Sequence, residues 1–318
     1  MFDNPIYVSV IVPAYQLEAY IAEAIESVLH QTYPYFELVI LDDGSSDCTL
    51  QIAQAYASQD TRIRLYHHSK NMGAVQTLND LLNFAQYDWV FYLDGDDRIL
   101  PYRLERQVAF LQENQGLVLT GALVYYIDSR GKRMGQSSLS PFTSAERVRQ
   151  EIEADHPIGF PTPTVVIHRP TALKIGGYRQ LITAFDVDLY SRLAQAGPVL
   201  CQQEVLGEYR IHAKSKSVIN VARACKIGRW ISASMRARRL GQPEPDLEAY
   251  IASENRLPFL GRLSITMKDI SAGLYKRAVV AYSSRQYWQS VLFCILCGLS
   301  WPPYLWWRFR SRKLFLFS

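Results

Sequence analysis

A short apolar run early in the chain ends in a cluster of carboxylates. Residues 89–93 are apolar and β-prone, as in a strand covered on both faces, and Asp94, Asp96 and Asp97 follow directly. Carboxylates this close repel one another unless a cation lies among them, and Mg²⁺ and Mn²⁺ prefer oxygen ligands. The spacing predicts a divalent metal site. A solvated acidic turn is the alternative, because Asp and Gly are also common turn residues.

Three more groups of polar or turn-forming residues follow strand-like segments. They lie at 13–15 (Pro-Ala-Tyr), 42–43 (Asp-Asp) and 71–73 (Asn-Met-Gly), after runs of β-prone residues at 8–13, 36–41 and 62–66. Helical apolar spacing fills the intervals at about 18–30, 45–57 and 74–84, with Ser45 or Ser46 as a natural N-cap of the second helix.

This alternation of strands and helices predicts right-handed crossovers. The expected architecture is an α/β fold with a doubly wound, mostly parallel sheet flanked by helices. In such a sheet, ligands bind outside the carboxyl ends of the strands. We therefore expect all four groups of residues at one edge.

The following segment adds two further groups of candidates. A helix to about residue 113, a strand at 117–128, a turn at 129–132 and a strand at 164–168 lead to a helix that opens with Asp186 and Asp188. A strand-like stretch at 199–209 then ends in Tyr-Arg-Ile-His at 209–212.

The composition is that of a globular protein with an uneven distribution of charge. Of the 318 residues, 48% are hydrophobic and 20% are charged, and the five scattered cysteines predict a reducing compartment without a disulfide framework. No secretory signal pattern opens the chain. Residues 1–218 carry 18 basic and 25 acidic side chains, whereas residues 219–318 carry 16 and 5. The basic end predicts an anionic partner, and no nucleic-acid-binding motif accompanies it.

Taken in order, these segments resemble the family 2 glycosyltransferases with the GT-A fold, over roughly residues 6–218. The resemblance is carried by Val-Ser-Val-Ile-Val-Pro-Ala-Tyr (8–15), Asp-Asp-Gly-Ser (42–45), Asn-Met-Gly (71–73), Leu-Asp-Gly-Asp-Asp (93–97), Phe-Asp-Val-Asp-Leu-Tyr-Ser-Arg-Leu (185–193) and Tyr-Arg-Ile-His (209–212). It implies transfer of a sugar from a nucleotide diphosphate donor, with inversion at the anomeric carbon and a divalent metal, Mn²⁺ or Mg²⁺.

The resemblance also implies which residues bind the donor. Asp43 would hydrogen-bond the base, typically uracil, and a cap on its own loop is the alternative. Asp94 would face the ribose or the metal. Arg210, Lys214 and Lys216 would close over the diphosphate. The implied nucleotide-binding set is Pro13, Ala14, Tyr15, Asp43, Gly73 and Asp94.

For the metal and the base, the resemblance points to three more residues. Asp96 is expected to ligate the metal directly, with Asp94 beside it and His212 completing the site. Asp186 matches the catalytic base, although Phe185 stands where the family commonly has Glu. Asp188 is the nearby rival. Because residues two apart on a helix do not share a face, Asp186 and Asp188 cannot both point at one substrate. The remaining alternative is that Asp186 and Asp188 only stabilise the N-terminus of the helix through its dipole and have no catalytic role.

The region after residue 218 differs in character. We predict a catalytic domain at 1–218 and a basic helical region at 219–318, with helices at 230–240, 274–277 and 287–299 and a break at 242–245. Aromatic and basic residues from 301 to 313 are typical of a membrane interface. The preferred interpretation is an in-plane anchor on an anionic membrane, at the cytoplasmic inner face. Packing on the catalytic domain and a true span are the alternatives, although 287–299 is short for a span.

Other classes of protein fit less well. A sugar-nucleotide binding module without turnover is the main alternative, and the intact Asp96 and Asp186 argue against it. A receiver-type signalling domain would be far shorter, and a nucleotidyltransferase would need a Gly-rich loop where residues 13–15 stand. The acceptor is expected to be a glycan or a lipid-linked glycan.

Overall fold

The first part of the chain alternates strands with helices, as the sequence predicts. The computed structural model describes residues 5–212 and 221–303. Its first elements, in chain order, are β1 (Val8–Ala14), α1 (Ile21–Leu29), β2 (Phe36–Asp42), α2 (Thr49–Ala57), β3 (Ile63–His67), α3 (Ala74–Phe84), β4 (Trp89–Tyr92), β5 (Arg98–Ile99) and α4 (Arg103–Glu113).

The start of α2 differs from the expected cap at Ser45 or Ser46. The helix begins at Thr49, because the Asp47 carboxylate accepts hydrogen bonds from the backbone N–H and the hydroxyl of Thr49. The hydroxyls of Ser45 and Ser46 instead accept hydrogen bonds from Gln16 across the neighbouring loop.

The middle of the chain completes the sheet with strands that run in both directions. These elements are β6 (Leu119–Ile127), β7 (Arg133–Gln136), α5 (Ala145–Glu153), a short 3₁₀ turn (Thr162–Thr164), β8 (Val166–His168), α6 (Arg169–Lys174), α7 (Phe185–Ala196) and β9 (Val199–Arg210). The predicted turn at 129–132 joins β6 and β7 as an antiparallel hairpin.

All nine strands belong to one sheet, in the order β3-β2-β1-β4-β8-β6-β9-β5 with β7 paired to β6. The first four pair in parallel, whereas β8 is antiparallel to both of its neighbours and β9 is parallel to β6. The predicted α/β class is confirmed. The antiparallel insertion in the second half depends on long-range pairings that the local sequence pattern does not specify.

The apolar side chains of the parallel strands alternate between two cores. Ile11 of β1 and Val39 of β2 pack on one face with α3 and α7, whereas Val10 and Leu38 pack on the other with α1. Burial on both faces explains why β1 and β2 are continuous apolar runs instead of alternating ones. The sheet is therefore a rigid base for the loops at its carboxyl edge.

The last part of the described chain is helical. It contains α8 (Val221–Arg239), α9 (Leu247–Asn255), α10 (Phe259–Ser283) and α11 (Tyr287–Ser300). The predicted break at 242–245 lies between α8 and α9, and the predicted helix at 274–277 is part of the 25-residue α10. Tyr275 and Val279 of α10 pack against Val124, Tyr126 and Ile211. No helix among the described residues is long and apolar enough to cross a membrane. The expected boundary between domains at residue 218 lies outside the described residues and stays a prediction.

Candidate active site

A cleft of about 830 Å³ opens at the carboxyl edge of β1, β2 and β4. Its wall also includes the segment from Gln16 to Tyr20, the start of α3 and the end of β9. Gly73 and Asp186 are each next in sequence to a lining residue, Ala74 and Phe185. Seven of the predicted site residues line the cleft: Pro13, Ala14, Tyr15, Asp43, Asp94, Asp96 and His212.

The pair predicted to ligate the metal is in direct contact. His212 Nε2 lies 2.9 Å from Asp96 Oδ2, although the two residues are far apart in sequence. The imidazole is stacked on the Tyr20 ring, with 5.6 Å between centroids. The Arg210 guanidinium covers that tyrosine at 4.7 Å. This stack holds the imidazole ring against the Asp96 carboxylate. Tyr20 belongs to no sequence motif that would have identified it as part of the site.

Asp94 lies at the base of the cleft and is oriented by the end of β4. The Tyr92 hydroxyl donates to Asp94 Oδ1 at 2.6 Å. Burial, followed by the negative charge of Asp94, raises the pKa of Tyr92 well above its ordinary value. The phenol therefore stays protonated and remains a donor to the carboxylate.

Asp97 does not belong to the cation cluster suggested by the sequence. It is 2% exposed, and its Oδ1 accepts the backbone N–H of Arg210 at 2.7 Å. Burial, followed by the charges of Asp96 and Asp94, raises the pKa of the Asp97 carboxyl well above its ordinary value. It joins the 94–97 turn to the end of β9, which leaves Asp94, Asp96 and His212 as the candidate cation ligands.

Arg210 is likewise not available to close over a diphosphate. Its side chain is fully buried, and its guanidinium donates to the Asp96 carbonyl at 2.6 Å and to Glu23 at 2.8 Å. These bonds fix the backbone of Asp96 instead. Lys214 and Lys216, which were expected to act with it, lie outside the described residues.

Asp43 is buried and holds the loop that leads into α3. Its Oδ1 accepts hydrogen bonds from the Met72 N–H and from His68, both at 2.8 Å, and its Oδ2 accepts the Gly73 N–H at 2.9 Å. Gly73 has a φ of +90°, which favours glycine. Asp43 therefore binds the loop at 71–73 and does not cap its own loop, where Asp42 accepts the Ser45 N–H. Because each carboxylate oxygen has two acceptor sites, Oδ2 retains capacity for a ligand.

Gly95, between Asp94 and Asp96, is required by close packing. A Cβ at this position would lie 2.8 Å from Leu17 Cδ1 and 3.2 Å from the Pro13 carbonyl oxygen. The missing side chain therefore lets the 94–97 turn approach the loop after β1, so that both can line the same cleft.

The helix α7 separates its two acids into different environments. Asp188 is fully buried and pairs with Arg192 at 2.8 Å, and the Arg192 guanidinium also donates to the carbonyls of Ile175 and Gly177. Asp186 remains partly exposed in the first turn. Burial raises the pKa of Asp186, and hydrogen bonds from backbone N–H groups oppose this effect. Asp188 is therefore engaged in holding the fold, and Asp186 remains the candidate catalytic acid of the two.

Two buried tyrosines lie close to both Asp186 and Asp94. Burial, followed by the charges of Asp186 and Asp94, raises the pKa of Tyr178, and both charges act on Tyr190 as well. Phe185, which lines the cleft, packs edge-on against Tyr178. Among the described residues, neither phenol oxygen has a hydrogen-bond partner. Both acids therefore lie near this pair of tyrosines. The sequence analysis missed the tyrosines because aromatic residues in a helix or turn are typical of the core.

The chemistry of the donor set fits a hard divalent cation. Asp94 and Asp96 supply oxygen ligands and His212 supplies a nitrogen, all of which suit Mn²⁺. Within residues 5–212 and 221–303, no three acidic, His or Cys side chains are already gathered around one point. A cation would therefore take Asp96 and His212 and complete its coordination with ligand oxygens, as Mg²⁺ and Mn²⁺ do with phosphates.

The mixed sheet and the cleft at its edge define the GT-A class of α/β fold, and comparison with known proteins agrees. Residues 9–170, just over half of the chain, match the family model described as Glycosyl transferase family 2. The chain therefore belongs to this glycosyltransferase family.

Individual proteins of known sequence are also similar to this chain. A Bacillus subtilis (strain 168) protein that carries the name glycosyltransferase EpsE is 35% identical over 197 residues, 60% of this chain and 67% of that protein. Three further curated relatives match over 42% to 50% of their own length.

Two solved structures share the fold. TarS of S. aureus, in complex with UDP-GlcNAc, has a TM-score of 0.57 at 17% identity and covers 92% of this chain and 91% of that chain. The mannosyltransferase PcManGT of Pyrobaculum calidifontis, in complex with GDP-Man and Mn²⁺, has a TM-score of 0.56 at 16% identity, covering 93% and 87%.

Proposed function

We propose that this family 2 glycosyltransferase moves a sugar from a nucleoside diphosphate donor, with UDP as the nucleotide, to an acceptor hydroxyl with inversion. The acceptor class is a glycan or a lipid-linked glycan. The observation that carries the proposal is the convergence of Asp94, Asp96 and His212 in one cleft, with Asp186 facing the same pair of buried tyrosines as Asp94. TarS and PcManGT, which share the fold, are complexes with nucleotide sugars.

The donor is proposed to bind with its nucleotide along residues 13–15 and its diphosphate towards Asp96. Asp43 contacts the base with the acceptor capacity left on Oδ2 while it holds the loop at 71–73. Asp96 and His212 hold Mn²⁺ or Mg²⁺, which when bound neutralises charge on the leaving diphosphate. The buried Arg210 keeps the Asp96 backbone in place.

Asp186 acts as the general base. Its partly exposed carboxylate takes the proton from the acceptor hydroxyl as that oxygen attacks the anomeric carbon. Direct attack from the side opposite to the diphosphate inverts the centre without a covalent enzyme intermediate. Phe185, at the position of the family's usual Glu, gives the acceptor side an apolar wall instead of a carboxylate.

A donor screen tests this proposal. A panel of nucleotide sugars is offered with and without Mn²⁺, and binding and hydrolysis are measured for wild type, Asp96→Ala and Asp186→Asn. We expect Asp96→Ala to lose metal-dependent donor binding by about 10- to 100-fold or more. Asp186→Asn should bind the donor but lose transfer by about 10²- to 10⁴-fold. Glu248→Gln, which removes an exposed carboxylate, is the control.

The same screen separates the alternative of a binding module without turnover. Donor binding without hydrolysis or transfer under all metal conditions would favour that alternative. Donor turnover that does not depend on Asp96 would contradict the proposed metal site.

The proposed location is the cytoplasmic inner face of a membrane, where an anionic surface and lipid-linked acceptors are available. The support is the basic charge of residues 219–318 and the packing of α10 on Ile211, the residue before His212. The C-terminal helices thereby adjoin the metal-binding side of the cleft.

A further inference from the structure

The outer side of α11 is a continuous apolar surface. Its side chains recur at spacings of 3, 4, 7 and 11 residues, which places them on one face of the helix. Their exposed fractions are far above those of core residues: Trp288 88%, Val291 52%, Leu292 52%, Ile295 55% and Leu299 73%. We call these five residues the α11 face.

The opposite side of the same helix packs against α10. The Ser290 hydroxyl donates to the Ala278 carbonyl at 2.8 Å, and the buried Cys297 contacts Ser271, so α11 packs antiparallel on α10. No charged residue occurs between Tyr287 and Ser300. A helix that is apolar on all sides is normally covered on all sides. Among the described residues, nothing covers the α11 face.

The charge of the neighbouring chain indicates what covers it. After residue 303 the sequence continues with six aromatic residues and four basic ones, and residues 219–318 carry 16 basic side chains against 5 acidic ones. Aromatic rings with Arg and Lys are typical of the zone between lipid headgroups and acyl chains. α11 has 14 residues, too few for a span of about 20, so only an in-plane position is open to it.

We propose that the α11 face is a membrane-docking surface that enters one leaflet of an anionic bilayer, with the helix axis in the plane of the membrane. The five apolar side chains lie among the upper acyl chains, and the net positive charge of residues 219–318 favours an anionic surface. This inference specifies the surface that produces the proposed membrane location, and its physical basis does not depend on glycosyl transfer.

The test is flotation of the full-length protein with vesicles of phosphatidylcholine alone or mixed with phosphatidylglycerol. Wild type should float with the anionic vesicles and much less with the neutral ones. The variant Trp288→Ser/Leu292→Ser/Ile295→Ser should bind anionic vesicles about a hundredfold more weakly or worse, because it loses most of the buried hydrocarbon. Gln289→Ser, on the flank of the same helix, should float like wild type, and circular dichroism checks that both variants are folded.

Three outcomes would overturn the proposal. The first is wild type that fails to float with anionic vesicles. The second is a triple variant that floats as well as wild type, which would leave the segment after residue 303 to do the binding. The third is a wild-type dimer in light scattering that the triple variant converts to a monomer, since a second copy would then cover the face. Donor hydrolysis by the triple variant, measured separately, shows whether the proposed chemistry stands independently.

Discussion

The environment of Asp186 leads to a prediction about pH. Burial raises the pKa of its carboxyl above the ordinary 3.8, while the positive charge of Lys276 opposes the shift. A general base works only when it is deprotonated, so activity should fall as the pH drops through this raised pKa. We expect the acidic limb of kcat/KM to lie above pH 3.8, and Lys276→Met to move it to higher pH. An acidic limb at the ordinary value in both proteins would contradict the assignment.

The stack of Arg210, Tyr20 and His212 suggests that Tyr20 positions a metal ligand. Tyr20→Leu removes the ring at 5.6 Å from the imidazole, and we expect Mn²⁺ affinity to fall about 10-fold, as for other residues that orient ligands. Tyr20→Phe keeps the ring and should retain affinity. The measurement is the Mn²⁺ concentration that half-saturates donor turnover. Equal effects of the two substitutions would show that the ring does not orient His212.

At the scale of elements, the turn between β4 and β5 must pack tightly on the loop after β1. Gly95→Ala places a Cβ 2.8 Å from Leu17 Cδ1, so we expect a loss of about 1–3 kcal/mol in the free energy of unfolding. Gly135→Ala is the matched control, because nothing lies within 4 Å of a Cβ there. Urea unfolding measures both variants. An unchanged stability for Gly95→Ala would mean that Leu17 moves aside freely.

The helical elements also decide which acid can act on a substrate. The first turn of α7 leaves Asp186 partly exposed, while Asp188 faces Arg192 one turn further along. Residues two apart on a helix necessarily point in different directions. The geometry of one helix thus separates an acid that holds the fold from the one proposed to act on the substrate.

At the scale of the whole molecule, one arginine joins the C-terminal helices to one another. Arg229 of α8 donates to Glu254 of α9 and to Asp269 of α10, both at 2.7–2.8 Å, and both carboxylates are largely buried. Burial opposes the charge of Arg229, but these hydrogen bonds raise its pKa above the ordinary value. The guanidinium is therefore charged at all physiological pH values and connects three helices.

Removal of this arginine should weaken the helical region. We expect Arg229→Ala to lower the free energy of unfolding by about 3 kcal/mol, because two buried carboxylates lose their partner. Arg223→Ala breaks an ion pair in which both side chains are substantially exposed, and should cost less than about 1 kcal/mol. Thermal and urea unfolding with a far-ultraviolet signal measures both. Equal losses would show that the network is no more than a surface contact.

The sequence by itself determined the parallel half of the sheet and the edge at which the site lies. The apolar runs of β1, β2 and β4, which end in or are followed by Pro or Asp, give this result because strand period and turn chemistry are local properties. The same runs predicted the edge at which Pro13, Asp43 and Asp96 line the cleft, whereas His212 was expected there from the family resemblance.

Only the tertiary structure decided which polar residues hold the fold and which remain candidates for binding a ligand. Asp97 has the same side chain as Asp94 and Asp96, and Arg210 lines the cleft beside them. Yet Asp97 joins the 94–97 turn to β9, and Arg210 fixes the Asp96 backbone. Asp188 is likewise assigned by its contact with Arg192. Sequence patterns report the type and spacing of a residue. Burial and long-range hydrogen bonds, which set what a carboxylate or a guanidinium contacts, exist only once the chain has folded.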